Sequence, residues 1–175
     1  MTERNNPAAD AAGREFVLTR TFDAPRSLMW KAWTESDRLG QWFGPRGFKV
    51  FHSKNDARPG GTFHYGMKSP DGNTMWGKWV YREISEPNRL VFVTSFSDEK
   101  GGITRHPLVP DWPHELLSAI LFDEKDGKTT VTVKWVPINA TETERNVFKN
   151  TRPSMNSGWG GTFDQLEAYL AEVQR

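Results

Sequence analysis

The spacing of hydrophobic positions changes along this chain, and the changes separate helices from strands. Residues 15–22 form a β-prone run that predicts a first strand. Apolar side chains at intervals of three and four then predict two short helices between Asp23 and Gly44. Short turns rich in glycine, proline and asparagine follow, which favours an antiparallel meander. From residue 47 the period is two, and it predicts strands at 47–53, 61–68, 74–84, 89–97, 115–123 and 128–136.

Two segments interrupt or follow the predicted strands. Residues 98–113 are too long and proline-rich for a hairpin turn, so we expect a loop at the rim of the sheet. After the last strand, Thr141 and Glu144 form a capping-box pattern that opens a long C-terminal helix. Pro153 falls inside that helix. Because proline removes a backbone hydrogen bond, we expect the helix to kink or split near Arg152.

The C-terminal helix carries glycines inside its own hydrophobic stripe. Gly158, Gly160 and Gly161 lie among apolar residues spaced as one helix face, and each costs about 1 kcal/mol relative to alanine. A close approach of the helix to a sheet would explain them, and so would space left beneath the helix for a ligand. Both explanations place the helix across a sheet, and the second implies a cavity. The apolar stripe consists of Met155, Trp159, Phe163, Leu166, Leu170 and Val173.

These elements occur in the order of the helix-grip fold, and the local sequence agrees with it. Residues 22–45, 58–72, 139–145 and 154–170 resemble the START-like (SRPBCC) superfamily. Within it they are most similar to the family named for the activator of the heat-shock-protein-90 ATPase. The resemblance covers nearly the whole chain. Its most specific motifs are Trp33-Thr34 with Trp42-Phe43-Gly44-Pro45, and Gly158-Trp159 with Leu166 and Tyr169-Leu170.

The resemblance implies an α+β fold in which a curved antiparallel sheet wraps around the long C-terminal helix. A mostly apolar cavity between them would open near the two short helices and the strand-end loops. We assign residues 14–175 to this one domain and expect residues 1–13 to be a disordered tail. A shared fold specifies function only weakly, because unrelated activities are built on the same scaffold.

Aromatic side chains supply the candidate ligand-binding residues. The chain has 8 tryptophans and 11 phenylalanines, many of them at the inward parity of the predicted strands. Such residues could line a pocket, or they could form ordinary core between helix and sheet. The candidate set is Trp33, Trp42, Phe43, Phe63, Tyr65, Trp79, Phe92, Trp159 and Phe163.

Few polar residues lie where they could reach a pocket. His64 alternates with inward aromatic residues, so we expect it on the surface, while the direction of His52 stays open. Residues in or beside the proline-rich loop could present polar groups at a pocket mouth, for proton transfer, or remain solvated. These mouth candidates are Arg105, His106, His114 and Glu115.

Charge and cysteine content exclude several classes of function. The 23 basic and 22 acidic residues give a net charge of +1, which provides no electrostatic reason to expect nucleic acid or an anionic membrane. The chain has no cysteine, and its 4 histidines lack the spacing of metal ligands, so neither a metal nor another cofactor is expected. We also find no signal-peptide pattern and no apolar run of the ~20 residues that span a bilayer. We therefore expect a soluble cytoplasmic protein without membrane insertion.

The leading hypothesis is that the protein binds a small apolar or aromatic molecule in the cavity between helix and sheet. One alternative is an enzyme, cyclase- or hydrolase-like, that uses the same cavity. Another, suggested by the family's name, is a chaperone partner that stimulates an ATPase. The sequence leaves the oligomeric state open between monomer and homodimer. An enzyme would need an inward polar pair, drawn from His52, Arg105, His114 and Glu115.

Overall fold

The structure, a computed structural model, describes residues 15–175 of the chain. The predicted tail at residues 1–13 lies outside the described residues. Residues 15–175 form four helices: α1 (Arg26–Thr34), α2 (Ser36–Trp42), α3 (Glu142–Asn150) and α4 (Arg152–Val173). The strands are β1 (Phe16–Phe22), β2 (Lys49–Asn55), β3 (Thr62–Lys68), β4 (Thr74–Ser85), β5 (Arg89–Ser97), β6 (Ile103–Thr104), β7 (Glu115–Lys125) and β8 (Lys128–Ile138).

The strands form one antiparallel sheet in the order β1-β8-β7-β5-β4-β3-β2, and the short β6 pairs with the end of β5. Together with the long C-terminal helix, this confirms the α+β helix-grip fold. Every predicted strand is present, with its ends within 2 residues of the predicted ones. The prediction missed β6, because two residues are too few to show a period.

One face of the sheet carries the core. Along β7 the buried positions alternate with half-buried ones, and Leu116, Ile120 and Phe122 face inward. Helix α4 buries Phe163 and Leu166 completely against this side. Neither α4 nor any other helix of residues 15–175 combines the length and apolarity needed to cross a membrane.

A tryptophan cluster joins α1 and α2 to the sheet and to α4. Trp33 is fully buried, and its ring lies nearly parallel to those of Trp79 and Trp159, with 6.2 Å between centroids in both pairs. Trp42 packs edge-on against Trp33 at 4.9 Å and donates its indole N–H to the carbonyl of Ala32 at 2.9 Å. The indole N–H of Trp33 has no hydrogen-bond partner among the described residues. The free energy gained by packing its ring must therefore exceed the cost of burying an unpaired donor.

The C-terminal helix is split where proline predicts it. Thr141 and Glu144 form the predicted capping box, with the Thr141 hydroxyl accepting from the Glu144 backbone N–H at 3.1 Å. The first segment, α3, ends before Thr151, and α4 continues from Arg152. Pro153 lies in the first turn of α4, where its missing N–H is not needed. The prediction of a break near Arg152 is confirmed.

Candidate functional site

A cavity of about 440 Å³ lies between α4 and the sheet. Small-molecule sites typically enclose about 300–1,000 Å³, so this space is sufficient for a compact ligand. The sheet supplies its floor, α4 supplies one wall, and two loops cover it. We call residues 43–45, between α2 and β2, the front cover, and residues 105–114, between β6 and β7, the rim loop.

Helical spacing creates the wall formed by α4. Thr151, Met155, Gly158, Trp159 and Thr162 line the cavity, and their spacing is that of one helix face. Gly158 lies in the middle of this face. A Cβ atom built at Gly158 would meet no heavy atom within 4 Å. The absence of a side chain at this position therefore leaves free space under the helix.

The neighbouring glycines have different surroundings. A Cβ atom on Gly161 would lie 2.9 Å from the backbone nitrogen of Arg46, so this glycine permits a close approach between α4 and the α2–β2 connection. Gly160 has free space around it but is not part of the cavity lining. Both explanations drawn from the sequence therefore apply, each at its own position. The close approach is to a loop, whereas the sequence suggested a sheet.

The floor is flat and aromatic, with one polar pair. Trp79 and Phe92 stack with 4.1 Å between ring centroids and 12° between planes. Tyr65 lies across Gly77, where a Cβ atom would overlap the tyrosine ring. The Tyr65 hydroxyl lies close to the side chain of Thr94, and burial raises the pKa of Tyr65 above its usual value. Tyr65 therefore presents a neutral hydroxyl beside that of Thr94.

The front cover is held to α4 by a single side chain. The Gln165 amide donates to the carbonyls of Trp42, at 3.2 Å, and of Gly44, at 2.7 Å. These two bonds fix the backbone on both sides of Phe43. The Phe43 ring then packs edge-on against Tyr65, with 4.9 Å between centroids. One end of the cavity is closed in this way.

An ion cluster outside the cavity strengthens the same attachment. The Asp164 carboxylate of α4 accepts from Arg20 of β1 at 2.7 Å and from Arg46, which follows the front cover. The two guanidinium groups lower the pKa of Asp164 below its usual value. Because these side chains are partly exposed, we regard the cluster as a positional tie and not as a large source of stability.

A histidine organises the rim loop. The His106 Nδ1 atom accepts hydrogen bonds from the backbone N–H groups of Leu108, at 3.0 Å, and Val109, at 3.2 Å. A ring nitrogen that accepts carries no proton, so the neutral ring must carry its proton on Nε2. The ring packs on Phe96 at 4.6 Å, and burial lowers the pKa of His106 below its usual value. The folded loop thus favours neutral His106.

The rim loop is anchored to α3 by a ring contact and an ion pair. Trp112 packs on Phe148 with 5.5 Å between centroids. Arg105 Nη1 lies 3.5 Å from Glu144 Oε2, and this carboxylate is nearly buried. The backbone N–H of Thr141 and, more weakly, the charge of Arg105 lower the pKa of Glu144. The capping box of α3 therefore also supplies the acid that fixes the rim loop.

The structure brings part of the predicted aromatic set to the cavity. Trp33, Trp42, Phe63 and Phe163 lie in the hydrophobic core and do not line it, because other rings stand between them and the free space. For these four residues the core alternative applies. The predicted residues that line the cavity are Phe43, Tyr65, Trp79, Phe92 and Trp159.

Of the four mouth candidates, two line the cavity and two do not. His114 lines the cavity and is exposed, and His106 also lines it. Arg105 instead braces the rim loop, through Glu144. Glu115 begins β7 opposite Ile138, and it lies outside the cavity lining.

The two remaining histidines lie on the other side of the sheet. His64 is half-buried on the face opposite Tyr65, where its ring stacks on Trp76 at 5.1 Å. An irregularity of β2 before His52 turns that ring toward the same group, 5.3 Å from His64. His52 therefore does not contribute to the cavity lining, and no inward pair involving it forms.

Sequence reasoning left several lining residues out of the candidate set. Met67 and Trp135 share the inward parity of their strands, so a signal for them was present. Leu108, Val109 and Trp112 come from the rim loop, which has no period from which their direction could be read.

The lining formed by the described residues is uncharged. No aspartate, glutamate, lysine or arginine of residues 15–175 contributes to it. Among residues 15–175 no group of three metal-ligating side chains comes together. The cavity is thus suited to a neutral, largely apolar molecule that contacts flat aromatic surfaces.

Comparison with known proteins agrees with this geometry. The family model described as Activator of Hsp90 ATPase homolog 1-like protein matches residues 23–171. A solved structure from Nitrosomonas europaea is 25% identical with a TM-score of 0.74, and the match covers 93% of this chain and 97% of that one. A protein from Mycobacterium smegmatis is 25% identical with a TM-score of 0.72, covering 92% and 93%. A protein from Arthrobacter aurescens, 24% identical with a TM-score of 0.76 over 93% and 89%, shows the fold alone. No curated protein matches the chain.

Proposed function

The chain belongs to the Activator of Hsp90 ATPase homolog 1-like family, and from that premise we propose that it binds a small aromatic molecule in the cavity between α4 and the sheet. The observation that carries the proposal is the combination of free volume with an uncharged aromatic lining. A pocket of about 440 Å³ under Gly158 lies within the range of small-molecule sites.

The attachments of the covers support the same proposal. Gln165 and Asp164 hold the front cover, while Glu144 holds the rim loop, and all three act from outside the lining. The covers are therefore fixed without filling the space between them. A ligand that enters would exchange water for ring contacts, and burial of apolar area at about 25 cal/mol per Å² would drive binding.

Binding can be measured through the tryptophans of the lining. Planar aromatics such as fluorene and 9-fluorenone are titrated against the purified protein, with a long-chain fatty acid as a comparison. We expect saturable quenching of tryptophan emission, because Trp79, Trp135 and Trp159 line the cavity. At a ligand concentration of about 100 Kd the stabilisation is about 2.7 kcal/mol, which raises Tm by roughly 5–10 °C for a chain of this size. If none of these compounds changes the emission or Tm, the proposal is wrong.

Catalysis in the same cavity has less support. Of the residues that could have formed an inward pair, only His114 lines the cavity, and the lining has no carboxylate. The family's name also suggests an effect on a chaperone ATPase. The cavity geometry gives no reason to prefer that function, and an ATPase assay with the purified chaperone would measure it directly.

A further inference from the structure

We propose that His106 selects the ligand, and that the ligand is a neutral planar aromatic compound with a carbonyl oxygen. The inference rests on the proposed function and specifies the ligand class for the same cavity. It starts from the hydrogen bonds of one ring. His106 Nδ1 accepts from two backbone N–H groups of the rim loop, those of Leu108 and Val109. The Nε2 atom must then carry the proton and act as a donor.

This donor is free within the described residues. No hydrogen bond from His106 Nε2 to residues 15–175 is present, and the atom is not sealed inside the protein, while the ring itself lines the cavity. The other deep polar groups, the hydroxyls of Tyr65 and Thr94, lie beside each other. His106 therefore offers an N–H group with no partner of its own at the point where the rim loop covers the cavity, and the buried indole N–H of Trp135 is a second unpaired donor in the same lining.

The lining defines the other properties of the ligand. The absence of charged side chains from it gives an ionised ligand no counter-charge. The stacked rings of Trp79 and Phe92 present a flat surface, and Trp159 lies across the space from the sheet. A flat, neutral ring system with one acceptor oxygen satisfies both the surface and the free donor. A carbonyl is an acceptor that keeps the ligand flat and uncharged.

A matched pair of compounds tests the inference. Fluorene and 9-fluorenone have the same ring frame, and only fluorenone carries an acceptor. We expect the wild-type protein to bind fluorenone about tenfold more tightly, which is the effect of one net hydrogen bond. In the variant His106→Asn the side-chain oxygen can still accept from Leu108 and Val109, while the amide N–H donor lies where the ring's Cδ2 was and stops short of the position of Nε2. We expect the variant to bind both compounds as the wild type binds fluorene.

Two controls separate a selective role from a structural one. Amide hydrogen exchange at Leu108 and Val109 should be the same in His106→Asn as in the wild type if the rim loop is intact. His114→Asn removes the other histidine of the lining and should keep the preference for fluorenone. The infrared carbonyl stretch of fluorenone bound to the wild-type protein should lie at lower wavenumber than in cyclohexane. This last measurement does not depend on any variant.

The possible outcomes are distinct. If neither compound binds, the proposed function fails. If both bind equally, or if bound fluorenone shows an unshifted carbonyl stretch, ligand binding stands and the role of His106 is wrong. A preference for fluorenone that persists in His106→Asn likewise overturns it.

Discussion

Gly158 gives the strictest test of a ligand cavity, because its missing side chain leaves space that a substitution can fill. The change is Gly158→Leu. A Cβ atom at this position meets nothing within 4 Å, and Gly158 lines the cavity, so we expect the rest of the isobutyl group to extend into that space. Replacing glycine inside a helix gains just under 1 kcal/mol of helix propensity. For a domain of this size that gain corresponds to a Tm increase of about 2–4 °C without ligand.

The same substitution should remove ligand binding. The isobutyl group and a ring system of fluorene size would compete for the volume between α4 and the stacked rings of the sheet. Overlap of this kind costs about 1–3 kcal/mol in a packed interior, so we expect affinity to fall about 5- to 150-fold. Tryptophan quenching with fluorene and thermal melting, each measured on the same preparation, give the two quantities.

Gly160→Leu is the matched control. Gly160 is two residues further along α4, which turns it about 200° around the helix axis, and its surroundings are also open. It should gain the same helix propensity and keep the ligand affinity of the wild type. If Gly158→Leu also binds fluorene normally, or if both variants lose affinity equally, the cavity under Gly158 does not hold the ligand.

Further predictions concern the two covers. Gly161→Ala would place a Cβ 2.9 Å from the Arg46 backbone nitrogen, and crowding of this kind costs about 1–3 kcal/mol against a gain of about 1 kcal/mol in helix propensity. We expect Tm to fall by a few °C or stay level, and a rise of about 2–4 °C, the full propensity gain, would contradict the close contact. Burial lowers the pKa of His106 in the folded protein below its value of about 6.5 in the unfolded chain. The neutral ring therefore stabilises the closed rim loop above about pH 6.5, and this stabilisation is lost as pH falls through the folded-state pKa. We therefore expect fluorene affinity to fall between pH 7 and pH 5 in the wild type and in His114→Asn. In His106→Asn it should stay level, although Arg105 and Glu144 lie nearby. Equal pH profiles in all three proteins would exclude His106 as the group that controls binding. Asp164→Asn should lower Tm slightly at pH 7, and the difference should shrink as pH falls below about 3.8, since Arg20 and Arg46 lower the pKa of Asp164 and its contribution is lost as pH falls through the lowered value. A Tm difference that is independent of pH would contradict this assignment.

The sequence predicted the elements of the fold because each depends on local periodicity. Alternation from residue 47 onward reflects a sheet with one buried face, and every strand after β1 that is longer than β6 was found from it. The break before Pro153 follows from one missing backbone donor. Properties of this kind require no knowledge of which elements lie together.

The lining of the cavity was only partly predictable, because burial and access to free space produce the same sequence pattern. Trp33 and Trp79 both occupy inward positions, yet Trp79 lines the cavity while Trp33 lies behind it. Whether a ring borders the free space or lies behind another ring depends on where α1 packs against the sheet. That position is a property of the tertiary structure. The rim loop is harder still, since the direction of Trp112 follows from its contact with Phe148 and not from any period.

The charged side chains that hold the two covers lie outside the lining of the cavity. Arg20, Arg46 and Arg105 each meet a carboxylate on α3 or α4, and each of these pairs lies behind or beside a cover. The Asp164 pairs attach the front cover while remaining partly solvated, whereas Glu144 is nearly buried and has Arg105 as its counter-charge. Opposite charges in such pairs cancel in the net charge of the chain, so the net charge gives no information about the site. The position of each charge relative to the covers is what distinguishes a cavity held open from a core that is simply filled.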